Sequence, residues 1–145
     1  MQLTIDQATT IVNTRIFTFR KPLTVTVAPS VLYYHLVFQA SDNLDSIGVR
    51  QRRDFYGFIF GCARTLGGKI ESIGGRGVSV QILVALDPAE TPSAFIRKLK
   101  LFSAAWAKRK LNLPDFAWRS AEVASVSRSQ CRRISSSIQS RNFLF

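Results

Sequence analysis

Apolar and polar residues alternate through positions 78 to 84, with Val78, Val80, Ile82 and Val84 on one side and Ser79, Gln81 and Leu83 on the other. This period-2 pattern predicts a strand with one buried face, and the Gly74-Gly75 pair ahead of it reads as a turn. On that pattern alone Ser79 and Gln81 are polar residues of a solvated face. The run YYHLVFQA at 33–40, rich in aromatic and β-branched residues, predicts the first core strand. KIESI at 69–73 predicts a short second strand and EVASVS at 122–127 a fourth. Further upstream, TRIFTFRKPLTVTVA at 14–28 alternates weakly and predicts a strand or hairpin-like arm around Pro22.

Between the strands the period changes to that of a helix. After the turn-like SDNLDSIGVR, residues Phe55, Phe58, Ile59, Cys62 and Leu66 fall at i, i+3, i+4, i+7 and i+11, predicting one buried face, and Gly67 and Gly68 end the helix. A second helix begins at TPSAFIRKLKLFSAAWAKRK, with Thr91 as cap and Pro92 at the first helical position. Its predicted buried stripe is Phe95, Leu99, Phe102 and Trp106, with Arg97, Lys100 and Lys108 on the other side. LNLPDFAWRS at 111–120 reads as a connection, and RSQCRRISSSIQSR as a basic terminal helix capped by Ser127. The order of elements predicts an α+β fold: a ferredoxin-like antiparallel sheet in the split β-α-β-β-α-β arrangement, helices packed on it, and an extra C-terminal helix.

Charge adds a direction. Twenty Lys and Arg against nine Asp and Glu give a formal net charge of +11. Such a surface attracts polyanions, nucleic acid first and an anionic membrane surface second. The start MQLTIDQATT has neither a basic nor an apolar leader region, and no apolar run is long enough to span a bilayer. Cys62 and Cys131 belong to no CxxC motif and are expected as free thiols in a reducing, cytoplasmic setting.

Several segments together resemble a known family. YHLVF at 34–38, DFYGFIFGCARTLGG at 54–68, IGG before the third strand, FIRKLKLFSAAW at 95–106, FAW at 116–118 and SVSRSQ at 125–130 are similar, in order and spacing, to the single-tyrosine HUH transposases, above all the REP-associated branch. The resemblance covers roughly residues 33 to 141. It implies one transposase-like DNA-binding domain over 31–145, with residues 1–30 as an arm outside it. In that family two histidines, two apart on the third core strand, hold a divalent metal against a scissile phosphate of single-stranded DNA. A tyrosine on the terminal helix attacks that phosphate, and a polar residue one turn later, often Gln, completes the metal shell.

Laid onto this chain, the resemblance puts the histidine positions at Ser79 and Gln81, the tyrosine at Ser137 and the residue one turn later at Arg141. The chain has a single histidine, His35, and its three tyrosines, Tyr33, Tyr34 and Tyr56, all precede the second strand. Neutral Ser and Gln are poor ligands for such an ion, and Arg141 would repel it. The balance is therefore against catalysis, and no metal or cofactor is implied. His35, in an apolar strand, reads as structural. The expected role is binding of single-stranded or hairpin DNA without cutting, through Arg97, Lys100, Lys108, Arg128, Arg132, Arg133 and Arg141. A working endonuclease with a substitute nucleophile and a protein-interaction remnant are the alternatives. The related enzymes occur as monomers and dimers, which leaves a homodimer open; no membrane partner is expected.

Overall fold

A computed structural model of the chain describes residues 31–141, the last of these for its backbone only. The arm predicted at 14–28 lies outside them. Strands β1 (Leu32–Ala40), β2 (Gly68–Arg76), β3 (Ser79–Leu86) and β4 (Trp118–Val126) form one sheet in the order β2-β3-β1-β4, every pair antiparallel. Helices α1 (Val49–Thr65) and α2 (Pro92–Lys110) connect them, and α3 (Cys131–Arg141) follows β4 through a short 3-10 turn at Arg128–Gln130. This is the predicted α+β arrangement. No described helix is long and apolar enough to cross a membrane.

Cross-strand pairing fixes which residues share a face. On one face lie Leu36, Phe38 and Ala40 of β1 with Val80, Ile82, Val84 and Leu86 of β3, and these pack with Phe55, Ile59, Phe95 and Leu99 of α1 and α2 in the main core. The other face carries Tyr33, His35, Val37 and Gln39 of β1 opposite Ala85, Leu83, Gln81 and Ser79 of β3. Here α3 covers the β2 and β3 half, with Ile138 fully buried and Leu83 only 1% exposed. A bulge in β2 between Ile70 and Ser72 swaps the alternation, so Ile70 joins the main core while buried Ser72 pairs with Leu83 on the α3 side.

The predicted helices form, rotated from the expected faces. In α1 the buried positions are Arg52, Phe55, Tyr56, Ile59 and Ala63, while Phe58, Cys62 and Leu66 are half-buried. In α2 the stripe is Phe95, Leu99, Ser103 and Ala107; Trp106 is half-buried and Phe102 is 46% exposed. Size explains the rotation, because the small Ser103 and Ala107 let α2 approach Trp118, whose indole N–H donates to Ser103 Oγ at 2.9 Å. The Ser103 hydroxyl in turn donates to the Leu99 carbonyl at 2.6 Å, so a buried serine is fully satisfied. Phe58, Phe102 and Trp106 instead line an open groove of about 540 Å³ between the helices, and Phe58 stacks on Trp106 at 5.3 Å.

Local chemistry sets the ends. Thr91 Oγ1 accepts from Ala94 N–H at 3.3 Å with Pro92 at the first helical position, as expected, and Gly67 closes α1 at φ +92°. Gly74 and Gly75 belong to β2 and are not the turn; the hairpin turns at Gly77, φ +64°. Strand β4 begins at Trp118, inside the predicted connection, because the backbone around Ala117 pairs with Ser41. A clamp from buried Arg52 to exposed Asp45 holds the β1–α1 connection: Arg52 Nη1 donates to Asp45 Oδ1 at 2.7 Å and to the Leu44 carbonyl at 3.3 Å, and Asp45 Oδ2 accepts from Gly77 N–H at 2.9 Å.

Two stability measurements check this packing. A Cβ on Gly75 would collide with the Ser79 backbone carbonyl, whereas one on Gly57 would meet nothing within 4 Å. Gly75→Ala is therefore expected to lose about 1–3 kcal/mol in denaturant unfolding, and Gly57→Ala, on the exposed side of α1, to gain about 0.5–1 kcal/mol. Burial pushes the Tyr56 phenol up to about 12, with Arg52 opposing and Asp45 adding to the rise. The folded state holds this group neutral while an unfolded tyrosine ionises near pH 10. Stability from Tyr56 is thus intact below about pH 10 and lost as pH rises toward 12. Absorbance at 295 nm should show one phenol titrating near pH 12 that is missing in Tyr56→Phe.

Candidate nucleic-acid interface

The sheet face away from α1 and α2 changes character along its width. Under α3 it is apolar apart from Ser72; toward β1 and β4 it carries His35, Val37, Gln39, Ser79 and Gln81, all half-buried, and exposed Ser120, Glu122 and Ala124. Ser79 and Gln81 thus share one face at the end of the central strand, as the alternation predicted. His35 joins them, paired with Leu83 and one step diagonal to Gln81. Its Nε2 lies 3.0 Å from Gln81 Oε1. An amide oxygen only accepts, so the imidazole N–H donates. His35 is therefore part of this polar surface and not of the core, a placement that depends on which strand becomes the neighbour of β3.

The terminal helix is oriented by its apolar residues. Cys131, Ile134 and Ser135 are half-buried and Ile138 is fully buried, a stripe at i, i+3, i+4 and i+7 that turns toward the sheet. Ser137 and Arg133 are exposed on the opposite stripe. The side chain that reaches the sheet from the last turn is Gln139, whose Nε2 donates to Ser72 Oγ at 2.8 Å. Ser135 and Gln139, four apart, therefore flank the β2–β3 surface, while Ser137 faces away and the Arg141 side chain lies outside the described part. Ile134 and Ile138 cause this rotation, since turning them toward β2 and β3 leaves Ser137 on the solvent side.

The metal implied by the family resemblance does not fit these residues. A serine hydroxyl and a glutamine amide are neutral and weak donors, and the Gln81 oxygen is already engaged by His35. Among the described residues no group of three or more His, Cys, Asp or Glu converges on one point. At the start of α3, burial first and Glu71 second push the Cys131 thiol up while Arg128 lowers it.

The cationic residues divide between the two sides of the sheet. Arg97, Lys100 and Lys108 project from α2, in the layer with α1; Arg97 and Lys100 line a groove of about 580 Å³ beside exposed Val123 of β4. Arg128, Arg132 and Arg133 are exposed at the 3-10 turn and the first turn of α3, on the other side. Of the second group, Arg128 borders the surface containing His35 and Gln81. The Arg128 guanidinium lies over the Tyr33 ring, 5.5 Å from its centroid. Neither Tyr33 nor Gln139 stands out in the sequence, where one is part of an apolar run and the other of a polar helix. The Ser127-x-x-Gln130 spacing is visible there, and it places Arg128: Gln130 Oε1 accepts from Ser127 N–H at 3.1 Å.

No protein-family model matches the chain, and no curated protein matches it. Solved structures do. A candidate transposase from Deinococcus radiodurans R1 superposes over 83% of this chain and 98% of its own, with a TM-score of 0.59 and 18% identity. A chain from the complex of M. kandleri SerRS with A. aeolicus tRNASec matches 79% of this chain and 32% of its own, with a TM-score of 0.51 and 11% identity. At such identities the likeness is one of fold, and the fold of this chain is transposase-like.

Proposed function

We propose that the protein is an inactive relative of the single-tyrosine HUH transposases that binds single-stranded or hairpin DNA without cutting it. One observation carries the reading: where the sheet face meets α3, the positions that would need two imidazoles and a phenol hold Ser79, Gln81 and serines, beside a row of arginines. The geometry of α3 suits Ser135 and Gln139 to the nucleophile and shell positions better than Ser137 and Arg141, and the resulting pair is still short of a tyrosine. A serine with no base and no metal beside it is not activated for attack. Binding needs none of these groups. Arg128 at the edge of the surface and the exposed Arg132 and Arg133 of α3 can neutralise phosphates, and counterion release then supplies affinity that falls with salt. The fold shared with a candidate transposase supports DNA as the polyanion over an anionic lipid surface.

The test is a pair of assays on the full chain. Fluorescence anisotropy with a labelled hairpin and a labelled single strand should give binding whose log-log salt slope is steep, about −0.7 per phosphate contact. Arg132→Ala with Arg133→Ala should weaken binding and flatten that slope by about one to two units while the circular dichroism spectrum is unchanged. The same hairpin incubated with magnesium or manganese should remain intact. Cleavage would establish the endonuclease alternative, and lack of binding to any oligonucleotide at low salt would leave the protein-interaction alternative standing.

A further inference from the structure

We infer that the open half of the sheet is a stacking platform for unpaired bases, with Tyr33 as its principal ring, so that the ligand is single-stranded and not duplex DNA; this rests on the DNA-binding reading above. Tyr33 and His35 are two apart on β1 and share the face left open beside α3. Two flat rings on adjacent same-face positions of a strand can each take a base, and such stacking tolerates any sequence because every base has a π-face. The surroundings are arranged for the same purpose. The Gln81 amide oxygen holds the His35 ring at 3.0 Å, which fixes its orientation on the sheet. Arg128 is exposed and its guanidinium lies over the Tyr33 ring at 5.5 Å, too close for a base to enter between them, so a stacking base takes the place of the guanidinium and leaves it to a phosphate.

The Tyr33 end of the open surface borders Arg128, Glu122 lies further along the same face opposite Val37, and the far end carries Arg76 opposite Ser79. Phosphates are drawn to the arginines and repelled at Glu122, leaving bases to turn inward over β1. A duplex, with its bases stacked on each other, presents no free π-face to this surface.

Anisotropy measurements with the full chain separate this inference from plain phosphate binding. The probes are a labelled twelve-nucleotide thymidine strand and an abasic strand of the same length and charge. The thymidine strand is expected to bind about tenfold more tightly or better, the scale of one or two stacked bases. Tyr33→Leu should abolish most of that preference and leave abasic binding and its salt slope in place, and Tyr33→Phe should keep the preference. Equal binding of the two strands by the parent chain overturns the inference while leaving DNA binding intact. So does a folded Tyr33→Leu variant that retains the preference. If the parent binds neither strand, the DNA-binding reading itself falls and this inference falls with it.

Discussion

Strand β3 is buried on both of its faces from Ile82 to Leu86, and the rest of the molecule is organised around that constraint. A strand in this position needs cover twice. Val80, Ile82, Val84 and Leu86 are covered by α1 and α2, while Leu83 and Ala85 point the other way and need a separate lid. That lid is α3. Burying its Ile138 is worth about 1.5–3 kcal/mol, enough to set the rotation of a short helix whose other residues are mostly polar. At eleven residues α3 spans about 16 Å, so it covers β2 and β3 and leaves β1 and β4 open on that side. The polar surface with His35, Gln81 and Tyr33 is the part of the sheet that this lid does not reach.

The opposite layer is held by rings. Phe55 is stacked on Trp106 and Trp118, at 5.7 and 6.0 Å, and meets Phe116 edge-on at 5.8 Å. Trp118 in turn lies against Phe38 of β1. This cluster joins α1, α2 and the start of β4, and a hydrogen bond to Ser103 ties the Trp118 indole N–H back to α2. On the other flank the Arg52–Asp45 pair bridges the first connection to the β2–β3 turn, with both carboxylate oxygens used. Both sets of contacts hold the Ala40 and Ser79 end of the central strands.

The division of the arginines and lysines follows from the same layering. A helix packed on the sheet sends its solvent face away from it, so the cations of α2 cannot reach the side where α3 sits. Cationic composition was plain from the chain; its separation into an α2 surface and an α3 surface was not. The two surfaces are chemically different as well. The α2 side pairs its charges with exposed apolar residues such as Leu101, Phe102 and Val123, whereas the α3 side borders aromatic and polar groups on a strand. Only the latter has the composition of a site that could hold bases as well as phosphates.

Local sequence determined the elements, their order and the caps, because periodicity, Thr91-Pro92 and the glycines after Leu66 act over a few residues. It also determined that two imidazoles and a terminal-helix phenol are missing, since composition needs no structure. Tertiary packing decided the faces. The buried side of α2 is the Ser103 side because Trp118 needs a small neighbour and a hydrogen-bond acceptor there, and neither is visible from α2 alone. A single bulged residue put Ser72 opposite Gln139, where strict alternation in KIESI would have grouped it with Ile70. His35 became part of the site only when β1 took its place between β3 and β4. The rotation of α3 toward Ser135 and Gln139 came from burying Ile138 against a strand about fifty residues away in the chain, a long-range contact that no local pattern encodes.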